Sequence, residues 1–213
     1  MSQAKQQNDL FGEIETPRLH IPNSQLAILT ETEIAYCDDF VSQEEENELL
    51  KSIDSEPWMN DLRRRVQHYG YRYDYSAKWL SDDDRIGDLP DWSLCVADRL
   101  VQAGLFNERP DQLIVNEYEP GQGIAPHIDK NCFGPVVAAV SLGSDCMMKI
   151  YPPDTDDKHA LDFVVLRRSM MAYRGVGRHD YRHSIPPRKS DELDGVKIPR
   201  GRRVSLTFRT VRH

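Results

Sequence analysis

Long apolar runs are absent from this chain of 213 residues. No stretch approaches the roughly 20 residues that a membrane-spanning helix needs, and the opening "MSQAKQQNDL" lacks the apolar core of a secretory signal. Paired cysteines are missing too. Cys37, Cys95, Cys132 and Cys146 are scattered without a CxxC pair, which argues against a zinc knot or a disulfide framework and for free thiols in a reducing compartment. No repeat and no low-complexity linker calls for a second domain. The expectation is a soluble intracellular protein, cytoplasmic or, in a eukaryote, nuclear, that meets no membrane and works as a monomer. Its length suffices for one domain with a substantial core.

A basic overall balance is also lacking. The formal charge of -8 speaks at first against a phosphate-rich partner, but its distribution alters that reading. Residues 31–56 hold ten acidic residues against Lys51 alone, so the rest of the chain is close to neutral. Residues 63–78 carry Arg63, Arg64, Arg65, Arg72 and Lys78. Residues 195–213 carry Lys197, Arg200, Arg202, Arg203, Arg209 and Arg212 with no acid. A basic groove or two solvated faces fit this pattern equally well.

What is present begins with a pattern of elements. Residues 1 to about 26 are polar and aperiodic and read as a flexible tail, with residues 27–213 as a single domain. After a short strand in "EIAYCDDF", Ser42 and Glu45 make a capping box for a helix whose Leu49, Leu50 and Ile53 face the core. "LPDWSLCVADRLVQAGLF" predicts a second helix, capped by Asp91 and ending near Gly104. Between them "RVQHYGYRYDYSAKW" alternates aromatics about Gly70 and predicts a hairpin or extended flap over about 60–80. From about residue 112 the texture turns to short strands: "QLIVNEY", "PVVAAVSLGS", "DFVVL", "SMMAYRG" and "RRVSLTFRTV". The class is α+β, mainly β, a double sheet or barrel braced by two helices.

Within that half, "HIDKN" sets His127 and Asp129 two apart. On a strand such residues share a face and can grip one ion. A third ligand is needed, and His179 and His183 in "RHDYRHSIPPR" are the candidates from the late strand region. Spacing does not choose between them. Two histidines and a carboxylate make the facial triad of non-haem Fe(II) oxygenases, which leaves positions open for a bidentate cosubstrate and dioxygen. In "RVSLTFR", Arg203, Ser205, Thr207 and Arg209 share one face and Val204, Leu206 and Phe208 the other. An amphipathic surface strand gives this alternation. So does a pocket for a small dicarboxylate, which guanidinium groups bind in bidentate fashion. Six strand residues span about 20 Å, so one arginine anchors a distal carboxylate and the other reaches towards the metal.

Together "NEYEPGQGIAPHID", "YRHSIPPR" and "RRVSLTFR" resemble the AlkB family of Fe(II)- and 2-oxoglutarate-dependent dioxygenases, in the order Asn-x-Tyr, His-x-Asp, His and Arg-x5-Arg. The resemblance covers about residues 112–212 and, more loosely, the flap, where "GYRY" matches a Gly-Tyr-x-Tyr element of the family's nucleotide lid. It implies a double-stranded β-helix, or jelly roll, with an N-terminal nucleotide-recognition flap. It makes His127, Asp129 and His183 the iron ligands, preferring His183 because the family's distal histidine precedes a short proline-containing turn like "SIPPR". Asn116, Tyr118, Arg203, Ser205 and Arg209 become contacts to 2-oxoglutarate. The implied reaction consumes O2 and 2-oxoglutarate, releases succinate and hydroxylates a C–H bond. On a carbon borne by a base nitrogen the product collapses to release an aldehyde, which amounts to dealkylation.

The implied partner is nucleic acid, as a single strand or a flipped base. Tyr71 and Tyr73 would flank an unstacked base, and Arg72 with Arg63 to Arg65 would meet phosphates. Asn131 joins the substrate contacts, standing where the bacterial repair enzyme of the family carries an acidic residue; Ser205 stands where the family often has Asn. The wording "QLIVNEYEPGQGIAPHID", "SLGS", "LRRS" and "SLTFRTVR" is similar to the animal branch that hydroxylates a modified wobble uridine in tRNA. That branch's added RNA-binding motif and methyltransferase domain do not fit in this chain. The function expected is oxidative dealkylation of alkylated bases in DNA or RNA; the alternatives are hydroxylation of a modified tRNA base and oxidation of protein side chains.

Overall fold

A computed structural model describes residues 23–60, 62–73 and 80–212 of the chain. Helix α1 (Asn23–Thr32) leads into strand β1 (Ala35–Cys37), helix α2 (Gln43–Ser55), strand β2 (Val66–Tyr69) and helix α3 (Asp91–Gln102). The strand-rich half follows with β3 (Gln112–Tyr118), β4 (Ile124–His127), β5 (Phe133–Leu142), β6 (Cys146–Tyr151), β7 (Leu161–Val165) and β8 (Met170–Tyr173). Helix α4 (Gly175–His179) then precedes β9 (Arg182–Ile185), β10 (Ser190–Leu193), β11 (Val196–Pro199) and β12 (Arg203–Val211). A six-stranded sheet in the order β1-β8-β5-β12-β3-β2 and a four-stranded sheet in the order β4-β9-β6-β7 form the two layers of the expected jelly roll.

Strand β12 shows why the layers face as they do. It lies between β3 and β5 in the large sheet, and its residues alternate between two environments. Val204, Leu206 and Phe208 are fully buried in one core with Leu49 and Ile53 of α2 and Val96, Ala97 and Leu100 of α3. Burying each such side chain contributes about 1.5–3 kcal/mol. The intervening Arg203, Ser205, Thr207 and Arg209 therefore point the other way, into a cavity between the sheets. A second core of Met148, Ile150, Phe163, Tyr173 and Ile185 closes the far side of that cavity, with Ile28 of α1 packed onto it.

Helix α2 starts as its sequence predicts: the Ser42 hydroxyl accepts from the Glu45 amide, and the Glu45 carboxylate accepts from the Ser42 amide at 2.8 Å. Helix α3 begins one residue differently. Asp91 is its first helical residue, the cap position falls to Pro90, and the Ser93 hydroxyl closes the turn on the Pro90 carbonyl at 2.8 Å. Helix α1 takes in residues 23–26, which composition assigned to the tail; residues 1–22 lie outside the described residues. Gln25, buried in that helix, holds it to β7: its amide nitrogen donates to the Val164 carbonyl at 2.9 Å and its oxygen accepts from the Val164 amide at 2.7 Å.

The segment expected to form a flap is anchored at its base. Residues 66–69 are the edge strand β2, paired with β3, and the chain then turns at Gly70 with φ 77°. A Cβ at Gly70 would stand 1.8 Å from the Asp111 carbonyl oxygen, so only glycine fits there. Tyr71 bridges to Arg85 beyond the turn, while Tyr75 and Lys78 fall outside the described residues.

Much of the charge read from the sequence is consumed internally. Arg65 and Arg202 converge on Glu117, whose side chain is 2 % exposed, and Arg202 also pairs with Asp54. Arg200 binds Asp191 through two nitrogens at 2.6 Å, and Arg167 binds the buried Glu46 at 2.9 Å. Of the two basic stretches Arg65, Arg200 and Arg202 are held in these pairs, whereas Arg63, Arg72, Lys197 and Arg212 are exposed. No helix among the described residues is long and apolar enough to cross a membrane.

Candidate active site

The site is assembled at the end of β4. His127, the last residue of that strand, lies directly across from His183 on β9, and the two rings stand 4.4 Å apart. Two histidines from neighbouring strands thus face one point. The strand expected to carry both His127 and Asp129 carries only His127: Asp129 lies two residues beyond it. What fixes Asp129 is Arg178 of α4, a fully buried side chain whose Nη1 donates to the Asp129 carbonyl and whose Nη2 donates to the Lys130 carbonyl, each at 2.7 Å. His179, the other candidate histidine, is exposed at the end of α4.

Ligand atoms of His127, Asp129 and His183 lie within 4.8 Å of one another, close to what one ion with bonds of about 2 Å gathers. The surroundings prepare each ligand. The Ala125 carbonyl accepts from His127 Nδ1 at 2.8 Å, so Nδ1 carries the proton and Nε2 keeps its lone pair for a metal. Arg209 Nη2 donates to Asp129 Oδ1 at 2.7 Å, leaving Oδ2 on the His183 side, 3.8 Å from Nε2. Burial opposes the Asp129 charge, but Arg209, His183, His127 and Arg178 outweigh it and hold the carboxyl down to about 2. Burial, reinforced by His127, pushes His183 down to about 3. A carboxylate and neutral imidazoles are the forms that ligate.

The triad opens into a cavity of about 400 Å³. At the opposite end, Arg203 Nη2 donates to the Ser141 hydroxyl at 2.7 Å, and its guanidinium stands over the Tyr118 ring. Its Nε and Nη1 are buried without a hydrogen-bond partner among the described residues. Asn116, Tyr118 and Ser205 line the same space, and Asn116 Oδ1 accepts from Arg64 Nε at 2.9 Å. The two arginines of β12 thus occupy the two ends of the cavity, Arg209 beside the triad and Arg203 away from it.

These observations test the fit of the implied groups. Two imidazoles and one carboxylate converge on one point, a donor set suited to iron. An arginine with two unsatisfied buried nitrogens calls for a carboxylate, as a bound 2-oxoglutarate would supply. The residues present fit both.

The residues expected to touch substrate divide. Tyr73 lines the cavity, its ring 5.3 Å from that of Phe133 and with Lys130 Nζ 5.2 Å from its centroid. Tyr71 is 6 % exposed and packs with Leu80, Cys132, Phe133 and Val211, so its ring has no face to offer a base in this arrangement. Arg72 and Asn131 are exposed and lie outside the cavity lining. Sequence reasoning missed Arg178, Ser141 and Tyr173, and it assigned Arg64 to phosphates where the structure sets it on Asn116 in the cavity lining. Arg178 makes its bonds to backbone 49 residues away in sequence, and no local pattern signals such a contact.

A model of the 2OG-Fe(II) oxygenase superfamily matches residues 33–209, and the jelly roll with its triad defines the same class. An uncharacterised protein of Acanthamoeba polyphaga mimivirus is 36% identical over 179 residues, covering 81% of this chain and 82% of its own. The "Alkylated DNA repair protein ALKBH8 homolog" of Arabidopsis thaliana is 31% identical, covering 92% of this chain and 68% of its own. The "tRNA (carboxymethyluridine(34)-5-O)-methyltransferase alkbh8" of Xenopus tropicalis is 34% identical over 83% of this chain, which spans only 31% of that protein. Among solved structures, OsALKBH1 superposes with a TM-score of 0.58 at 18% identity, over 83% of this chain and 97% of its own. The chain belongs to the 2OG-Fe(II) oxygenase superfamily and, within it, to the AlkB family. It is an oxidoreductase using Fe(II), 2-oxoglutarate and O2.

Proposed function

We propose that the protein oxidises an alkyl group on a base held in nucleic acid, removing the group when its carbon is attached to a ring nitrogen. The observation that carries this reading is the mouth of the cavity. There Tyr73 lines the space that also contains the triad, with Lys130 Nζ against its ring, while Arg64 lines the Arg203 end, bonded to Asn116 and standing over the Tyr118 ring. An aromatic face beside cations suits an unstacked base and its phosphates. When bound, iron with 2-oxoglutarate and dioxygen supplies C–H hydroxylation coupled to decarboxylation. The chain's own residues do the rest. His127, Asp129 and His183 present three ligand atoms to one point, Arg209 fixes which Asp129 oxygen is presented, and Arg203 orients the cosubstrate from the far end. The apolar walls of Ile114, Val137, Met148 and Ile185 exclude water.

A second reading, hydroxylation of a modified uridine in tRNA, is favoured by the 34% identity to the Xenopus tRNA-modifying relative. Binding of single-stranded oligonucleotides at increasing salt tests the choice of partner. Phosphate contacts predict an affinity that falls log-linearly with salt. No binding, together with turnover on peptides, would overturn the proposal in favour of protein side chains.

A further inference from the structure

Tyr173 of β8 was not singled out by its sequence, and its surroundings give it a role. Its backbone pairs with Val137, the residue that also pairs with Arg209, so it starts from the metal end of the cavity. Its ring stacks on His183, with centroids 4.5 Å apart and planes inclined by 21°. The side chain packs in one cluster with Tyr118 and Cys146, and Arg203 stands 5.5 Å from the centroid of that same Tyr118 ring. The phenol therefore lies along the path from the triad towards Arg203.

Tyr173 is 4 % exposed, and its hydroxyl is buried without a hydrogen-bond partner among the described residues, as are Arg203 Nε and Nη1. All of these donors line one cavity. Each unsatisfied buried group is costly to the fold, and a bound acceptor removes that cost.

We propose that the Tyr173 hydroxyl joins the two unpartnered nitrogens of Arg203 in binding the distal carboxylate of 2-oxoglutarate, and that Tyr173 thereby selects a dicarboxylate over a 2-oxo monocarboxylate. The ring fixes its own reach by resting on His183, so the hydroxyl serves as a positioning group set at one distance from the iron ligands. This rests on the cosubstrate of the family and not on the nature of the substrate.

The test is calorimetric binding to the anaerobic Fe(II)-loaded protein, wild type and Tyr173→Phe, with 2-oxoglutarate and with 2-oxopentanoate, which has a methyl group in place of the distal carboxylate. Melting of both proteins without ligand accompanies it. The expected result is about tenfold weaker binding of 2-oxoglutarate to the variant, unchanged binding of 2-oxopentanoate and a ligand-free melting temperature no lower than wild type. Unchanged affinity for 2-oxoglutarate, equal loss for both ligands, or a lower ligand-free melting temperature would each overturn the proposal. Because the readout is cosubstrate binding, a protein that oxidises no oligonucleotide leaves this result intact.

Discussion

Asp129 sits under opposing influences that its neighbours resolve. Burial disfavours its charge, Arg209 restores it, and Arg178 fixes the backbone that carries it. Groups that support a metal ligand in this way typically account for 10–100-fold in metal affinity. Arg178→Met and Arg209→Met should therefore each weaken Fe(II) binding by about tenfold or more, measured by anaerobic equilibrium titration. His183→Ala should abolish turnover, whereas His179→Ala should leave it at the wild-type rate, because His179 is exposed on α4 away from the triad. At this scale the three residues that converge were legible and their supports were not. His127 and Asp129 stood out by spacing, and His183 through the resemblance of "SIPPR"; Arg178 is one arginine among many until the fold brings it to Asp129.

Among the elements, residues 70–73 that follow β2 separate stability from substrate handling. Tyr71 is a core residue there, and Tyr71→Ala should cost about 3–5 kcal/mol, read by denaturant unfolding. Tyr73→Ala should instead lower oligonucleotide turnover while uncoupled 2-oxoglutarate consumption continues, since Tyr73 lines the cavity at a distance from the cosubstrate end. The spacing of two between Tyr71 and Tyr73 would set both on one face of a strand, but past Gly70 only an isolated bridge at Tyr71 remains, so the two rings go to different places. Strands β3, β5, β7 and β12 were legible from short runs rich in β-branched residues, and β8 as the short apolar stretch of "SMMAYRG". Strand β6, "CMMKIY", is rich in Met and Cys and carries no such signal. The β10–β11 hairpin turns on Asp194 and Gly195, both at positive φ, in a charged stretch that reads equally well as loop. Helix α1 escaped because its anchor is a buried glutamine.

Over the whole molecule, charges far apart in sequence pair with one another: Arg202 of the C-terminal segment joins Asp54 of the acidic one, and Arg202 and Arg65 together join Glu117. Glu117 is the clearest joint. Burial works to raise its carboxyl, and the bonds from Arg65 and Arg202 outweigh burial, so its pKa lies below the ordinary carboxylate value when folded. A group depressed by folding stabilises the protein above its unfolded pKa, and that stability is lost as pH falls through the folded pKa. Glu117→Gln should thus cost about 2 kcal/mol at neutral pH, with the gap to wild type closing below about pH 4 as thermal melts at stepped pH would show. The sequence counts alone leave a basic groove and a solvated face equally possible, since charge composition does not record which residues pair across 50 or more positions.

The central claim, an iron oxygenase acting on a base in nucleic acid, is tested most directly by one incubation. The Fe(II)-loaded protein is given 2-oxoglutarate, oxygen and a panel of methylated or etheno-modified DNA and RNA oligonucleotides, with His183→Ala alongside and both succinate and base mass followed. The account predicts succinate from the wild type alone, matched by loss of the alkyl group from a modified base or, for a carbon-borne group, by gain of one oxygen. Succinate with every base unchanged would contradict the choice of substrate, and no succinate from any reaction would contradict the oxygenase itself.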